Sequence, residues 1–155
     1  MMANILIIDD DYYLRFIMRI ILEGAGHKVF ETSNGLDGER AFFSNEIDIV
    51  FTDIFMPEQD GLQTIINIRK SNHTVQIVTM SSGGHSRELD YLMYSEIIGA
   101  TYSLIKPISL VDILSIASKA SLCLRSSHHN RCNIVNSFQN RNRSLARGKN
   151  TGQGQ

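Results

Sequence analysis

Four places in the sequence set a reactive side chain directly after a short apolar run. Asp9, Asp10 and Asp11 follow "ILII", Asp53 closes "IDIVFTD", Ser81 follows "VQIVTM", and Lys106 follows "TYSLI". Adjacent carboxylates repel one another, so a cluster of them gains from a cation. Mg2+ suits such a set, because it takes octahedral oxygen coordination and is usually held by one or two carboxylates plus a phosphate. An ammonium and a hydroxyl facing the metal complete a cradle for a phosphoryl group, with the lysine acting as a compact point charge. An aspartate in that cradle can act as nucleophile and form an aspartyl phosphate. Singly, each residue has a plainer role: an Asp closing a strand is more often a helix cap, and Ser81 before "SGG" reads as a turn residue. Their shared position, each closing an apolar run, is what argues for one site.

For these residues to meet, the runs must be strands whose carboxyl ends share one edge of an open parallel sheet, where such sheets bind ligands. The strand candidates are "NILIID", "KVFET", "IDIVFT", "VQIVTM" and "TYSLI". They alternate with helix-period segments, the pattern of a parallel sheet with helices on both faces. Between the first two, Leu14, Ile17, Met18, Ile21 and Leu22 form one apolar stripe, ended by Gly24 and Gly26. A second helix is expected near Leu36 to Ser44, where Gly38 costs about 1 kcal/mol relative to Ala. A third follows Gly61, a fourth covers Ser86 to Ile98, and a fifth begins after Ser109, with Asp112 three residues on as in a capping box. The inward face of the fifth is expected to be Leu110, Ile113, Leu114 and Ala117. The fold class is therefore α/β, a doubly wound domain.

At 155 residues and 43% hydrophobic content, the chain fits one domain with length to spare. No apolar run is long enough to span a bilayer, and "MMANILII" lacks the basic start of a signal peptide. Two cysteines give no disulfide framework, and a cytoplasmic location is expected. Charge is unevenly spread. Residues 1–112 hold all 16 acidic groups and 8 Lys or Arg, a net −8, while residues 113–155 hold 7 basic groups and no acid. From 125 to 155 the chain is rich in Asn, Ser, Arg, Gly and Gln, the composition of a disordered basic tail. Its Cys132, His128 and His129, with Cys123, match no standard zinc-finger spacing.

The motifs "ILIIDDD", "VFTDIFMPEQDGL", "IVTMSSGG" and "GATYSLIKPIS" stand in an order and spacing that resemble the receiver domain of two-component response regulators, over about residues 3–122. The resemblance implies a flavodoxin-like, five-stranded parallel sheet of order 2-1-3-4-5 with five helices. It implies that Asp53 is the phospho-acceptor, and that Asp10 and Asp53 bind Mg2+ directly with the Phe55 carbonyl, Asp9 acting mainly through water. Ser81 would bond a phosphoryl oxygen, Lys106 would pair with it, and the bond to Pro107 would be cis. The implied donor is a sensor histidine kinase or a phosphotransfer protein, and the implied reader an unidentified downstream protein, with no membrane partner. No room for a folded output domain is expected after residue 124, which suggests a stand-alone switch. The sequence departs from the family in its switch region. The position that often carries an inward-swinging Tyr or Phe is Ser103 here, and the adjacent Tyr102 faces the other way in a strand.

Two readings compete. A Mg2+-dependent phosphohydrolase with an aspartate nucleophile commonly has a second Asp two residues on, where this chain has Phe55. Binding of nucleic acid by the basic tail is the other. A dinucleotide fold is disfavoured, since no G-x-G-x-x-G follows the first strand.

Overall fold

The three central apolar runs become strands buried on both faces, while the two at the sheet edges are partly exposed. The computed structural model describes residues 2–82 and 86–123, apart from the side chains of 86–89 and 120–123. Strands β1 (Asn4–Ile8), β2 (Lys28–Thr32), β3 (Ile49–Asp53), β4 (Gln76–Ser81) and β5 (Tyr102–Ile105) form one parallel sheet in the order β2-β1-β3-β4-β5. Parallel neighbours need crossover connections, supplied here by α1 (Tyr12–Gly24), α2 (Gly35–Ser44), α3 (Gly61–Ser71), α4 (Ser86–Ile98) and α5 (Leu110–Cys123). This is the flavodoxin-like doubly wound arrangement, with its strand order reversing between β1 and β3.

Alternate strand residues point to opposite faces, so an unbroken apolar strand feeds two cores. On one face Ile5, Ile7, Phe51, Val78 and Met80 pack with Met18 and Leu22 of α1 and with Ile113, Ile116 and Ala117 of α5. On the other, Leu6, Ile8, Val50 and Ile77 pack with Phe42 of α2 and with Ile65 and Ile68 of α3. Gly38 lets α2 lie close to β1, because a Cβ there would collide with the Ile8 side chain. That close packing offsets the weak helix propensity of glycine.

Two side chains expected inside lie outside. Ile17 is 53% exposed: the buried stripe of α1 runs through Leu14, Met18, Ile21 and Leu22, and Ile17 falls at its edge, toward a second apolar face. Leu110, the first residue of α5, is 51% exposed at the end of its stripe, and Ile116 takes the inward place instead. The Ser109 hydroxyl accepts from the Asp112 backbone N–H at 3.1 Å, capping α5. Among the described residues no helix is long and apolar enough to cross a membrane. The expectations for residues 125–155, and for Cys123 as a ligand, lie outside what the structure describes.

Candidate functional site

Register brings the reactive residues to one edge. Ile8 pairs with Thr52, Asp53 with Met80, and Ser81 with Ile105. The ends of β1, β3, β4 and β5 are thus level, with Asp9, Asp53, Ser81 and Lys106 beside one another across four strands. Carboxylate oxygens of Asp9, Asp10 and Asp53 all lie within 4.8 Å of one another. Lys106 Nζ donates to Asp9 Oδ2 at 2.8 Å and lies 3.1 Å from Asp53 Oδ2. The remaining oxygens are held by the main chain: Asp11 N–H donates to Asp9 Oδ1 at 2.9 Å, and Ile54 N–H to Asp53 Oδ1 at 2.8 Å. Asp9 and Asp53 are buried, whereas Asp10 is exposed. The Lys106–Pro107 peptide is cis.

The third carboxylate of the acidic run has a different task. Asp11 is exposed and caps α1, accepting from Tyr13 N–H at 2.8 Å and Leu14 N–H at 3.2 Å. The loop after β3 is fixed by Gly61, whose N–H donates to the Ile54 carbonyl at 2.9 Å. A Cβ at Gly61 would collide with the Asp53 carbonyl oxygen, so only glycine lets α3 begin this close to the pocket.

The pocket resists its own charge. Burial pushes Asp53 up to about 6, and Asp9 adds to the rise; the Lys106 ammonium and the Ile54 N–H pull the other way without cancelling it. Burial alone would lower Lys106, but its hydrogen bond to Asp9 and the charges of Asp53 and Asp9 raise it. One ammonium faces three carboxylates, so the pocket is net negative when all are ionised. Its donors are all oxygens, the set that a hard cation such as Mg2+ prefers. Beside them Ser81 Oγ is buried with no hydrogen-bond partner among the described residues. A buried hydroxyl left unpaired costs roughly 1–3 kcal/mol, which an incoming oxygen acceptor would recover. A divalent cation and a phosphoryl group therefore both fit these residues.

The switch-region residues separate as strand alternation requires. Tyr102 is buried in the core between the sheet and α1/α5. Ser103 faces α4, where Thr79 Oγ1 lies 3.1 Å from Ser103 Oγ and 2.9 Å from Ser95 Oγ. Ser95 Oγ donates in turn to the Leu92 carbonyl at 2.6 Å. Hydroxyls from β4, β5 and α4 thus meet on the face where an aromatic was the family's usual choice.

Two contributors escape a reading of strand ends. Arg15, on the first turn of α1, donates through Nη1 to the Asp9 carbonyl and lies 4.0 Å from Glu31. Its sequence signal is only its place four residues after Asp11. Tyr91 of α4 meets the Phe55 ring, and nothing in the local sequence announces that contact.

Known proteins place this geometry. The family described as response regulator receiver domain matches residues 5–118. The chain is 28% identical over 119 residues to "Sporulation initiation phosphotransferase F" of Bacillus subtilis, covering 77% of this chain and 94% of that protein. It is 30% identical over 118 residues to "DNA-binding transcriptional regulator NtrC" of Azospirillum brasilense, covering 76% of this chain but 24% of that protein. Among solved structures, a response regulator receiver domain protein from Clostridium thermocellum superposes with a TM-score of 0.67 at 29% identity, over 78% of this chain and 98% of that one. The sheet order, the acidic edge with its lysine, and a family match over most of the chain agree: this protein belongs to the response regulator receiver domain family of two-component signalling.

Proposed function

We propose that the chain is a cytoplasmic phosphorylation switch, which accepts a phosphoryl group on Asp53 from a phosphohistidine of a sensor kinase or phosphotransfer protein. One observation carries this reading: three carboxylates, the Lys106 ammonium and a buried hydroxyl, Ser81, that has no partner among the described residues meet at one sheet edge. Ionised Asp53 attacks phosphorus, the P–N bond to the donor imidazole breaks, and the imidazole keeps the electron pair. Ser81 donates to one phosphoryl oxygen and Lys106 pairs with another. Asp10, Asp53 and the Phe55 carbonyl would hold Mg2+, with Asp9 acting through water. Bound there, the ion supplies neutralisation of the charge on the phosphoryl oxygens.

The chemistry belongs to a switch rather than to a turnover enzyme: Phe55 stands where a hydrolase would place a general acid. Lys106 exchanges two carboxylates for the new anion and Ser81 gains a partner, so the ends of β4 and β5 are where the surface changes for a downstream protein. Tyr102 is committed to the core, and Ser103 with its hydroxyl neighbours takes the place of a swinging aromatic.

The donor histidine must come within bonding distance of Asp53, so its carrier docks on what rims the pocket. Helix α1 starts beside Asp10, and its outer face exposes Tyr12, Tyr13, Phe16, Ile17 and Ile20. An apolar helix face on the donor suits that surface.

Intact mass after incubation with acetyl phosphate tests the metal-assisted step. The parent chain gains one phosphoryl group with Mg2+ and little in EDTA, and Asp10→Ala loses most of the Mg2+-dependent gain. Equal labelling with and without the ion would overturn this part of the reading.

A further inference from the structure

The loop after β3 is held from outside the acidic pocket. It begins directly after Asp53, carries the Phe55 carbonyl and ends where Gly61 opens α3. Its two ends meet through the Gly61 N–H and the Ile54 carbonyl. Between them Glu58 has a φ of 67°, a left-handed conformation that is costly for any side chain and persists only where neighbouring contacts enforce it. Those contacts converge on the next residue, Gln59. Its carbonyl accepts from Gly35 N–H at 3.2 Å. Its side-chain amide donates to Glu39 Oε1 of α2 and, at 3.0 Å, to Thr64 Oγ1 of α3. Glu39 Oε1 also accepts from Asn67 Nδ2 at 2.6 Å, so α3 steadies the carboxylate that holds the loop. Phosphoryl transfer as described above uses none of these side chains.

We propose that Glu39 is a positioning residue: through Gln59 it holds the loop after β3 in the shape that binds Mg2+, and so raises the affinity of the pocket for the ion. The inference deepens the reading of Asp10, Asp53 and the Phe55 carbonyl as Mg2+ ligands, and it rests on that reading. Mg2+ demands near-ideal octahedral geometry, so every ligand must be held in place. Asp53 is fixed by its strand and by the Ile54 N–H. The Phe55 carbonyl is only as fixed as the loop that carries it. Met56 packs that loop against the core between the sheet and α2/α3, and Gln59 ties its far side to α2. Without Glu39 the Gln59 amide loses one of its two side-chain partners, and Glu58 is freer to relax to a commoner conformation. The apparent affinity for the ion then falls in proportion to the time the loop spends out of its binding shape. The charge of Glu39 has no part in this, so a neutral oxygen acceptor in the same place serves equally.

The test titrates the full chain with Mg2+ alone, without phosphodonor, and follows backbone amide shifts by NMR. Glu39→Ala and Gln59→Ala each weaken Mg2+ binding by about threefold to tenfold, the range of one net hydrogen bond. The double variant binds no more weakly than the weaker single variant, since Glu39 acts only through Gln59. Glu39→Gln binds within about twofold of the parent: it loses the same charge as Glu39→Ala but keeps an oxygen that accepts from both amides. At saturating Mg2+, Glu39→Ala takes up phosphoryl from acetyl phosphate at the parent rate, a split that general damage to the pocket would not give. Parent-like affinity in Glu39→Ala, an equal loss in Glu39→Gln, effects that multiply in the double variant, or slow labelling of Glu39→Ala at saturating Mg2+ would each overturn the proposal while leaving Asp53 as acceptor. If Asp10→Ala binds Mg2+ as tightly as the parent, the ligand reading itself fails, and this inference falls with it.

Discussion

Asp53 is a carboxylate placed where its ionised form is disfavoured, and that has a measurable sign. Its folded pKa of about 6 lies above the ordinary 3.8 because burial outweighs the help of Lys106. Between those values the folded chain holds a proton that the unfolded chain has already lost. Raising the pH through this window therefore removes stability, and the whole deficit is present above about pH 6. Asparagine at this position carries no charge and escapes the penalty. In EDTA, Asp53→Asn melts higher than the parent at pH 7.5, and the difference closes below about pH 4. Thermal melts across that range check it; a parent chain that is the more stable at pH 7.5 would contradict the account. The same strain explains the fit to a cation, which pairs with the ionised form and pulls the apparent pKa down. Arg15 and Ser81 show how far single residues serve the site without belonging to the acidic run. One anchors the Asp9 backbone, and the other lies buried without a partner among the described residues.

At the scale of elements, α1 has two apolar faces and only one is used by the fold. Met18 and Leu22 are buried, with Leu14 and Ile21 packed against the same core. Tyr12, Tyr13, Phe16, Ile17 and Ile20 remain outside, and Tyr12 stacks on Phe16 at 6.2 Å between centroids. A docking role for this face predicts a split between donors. Ile17→Asp lowers phosphoryl transfer from a phosphorylated histidine-containing protein by about tenfold, the equivalent of about 1.4 kcal/mol. Labelling by acetyl phosphate, which needs no docking surface, stays within about twofold. Equal loss with both donors would mean that the substitution damages the pocket rather than the surface. The periodicity of "LRFIMRIIL" marks both faces as apolar without saying which one meets the sheet. That is why Ile17 was expected inside. Helix positions depend on where the sheet lies, whereas strand positions here were plain, because a parallel strand buried on both sides must be apolar throughout.

For the whole molecule, the legible part was the part that physics repeats. Asp9, Asp10, Asp53, Ser81 and Lys106 each close an apolar run, and in an open parallel sheet such ends converge. The level register of β1, β3, β4 and β5 turns that expectation into a pocket. What could not be read were contacts between surfaces far apart in sequence: Tyr91 on Phe55, and the Thr79–Ser95–Ser103 hydroxyls. These join α4 to the sheet and the site, and no local periodicity encodes them. The account as a whole stands on Asp53 as the phosphoryl acceptor. Its most direct test is to load the chain with acetyl phosphate and Mg2+, trap the acyl phosphate by borohydride reduction, and locate the reduced residue by tandem mass spectrometry of the digest. The account predicts reduction at residue 53 and at no other acid, and none in Asp53→Asn. A trapped label at another carboxylate, or one that persists in Asp53→Asn, would contradict it.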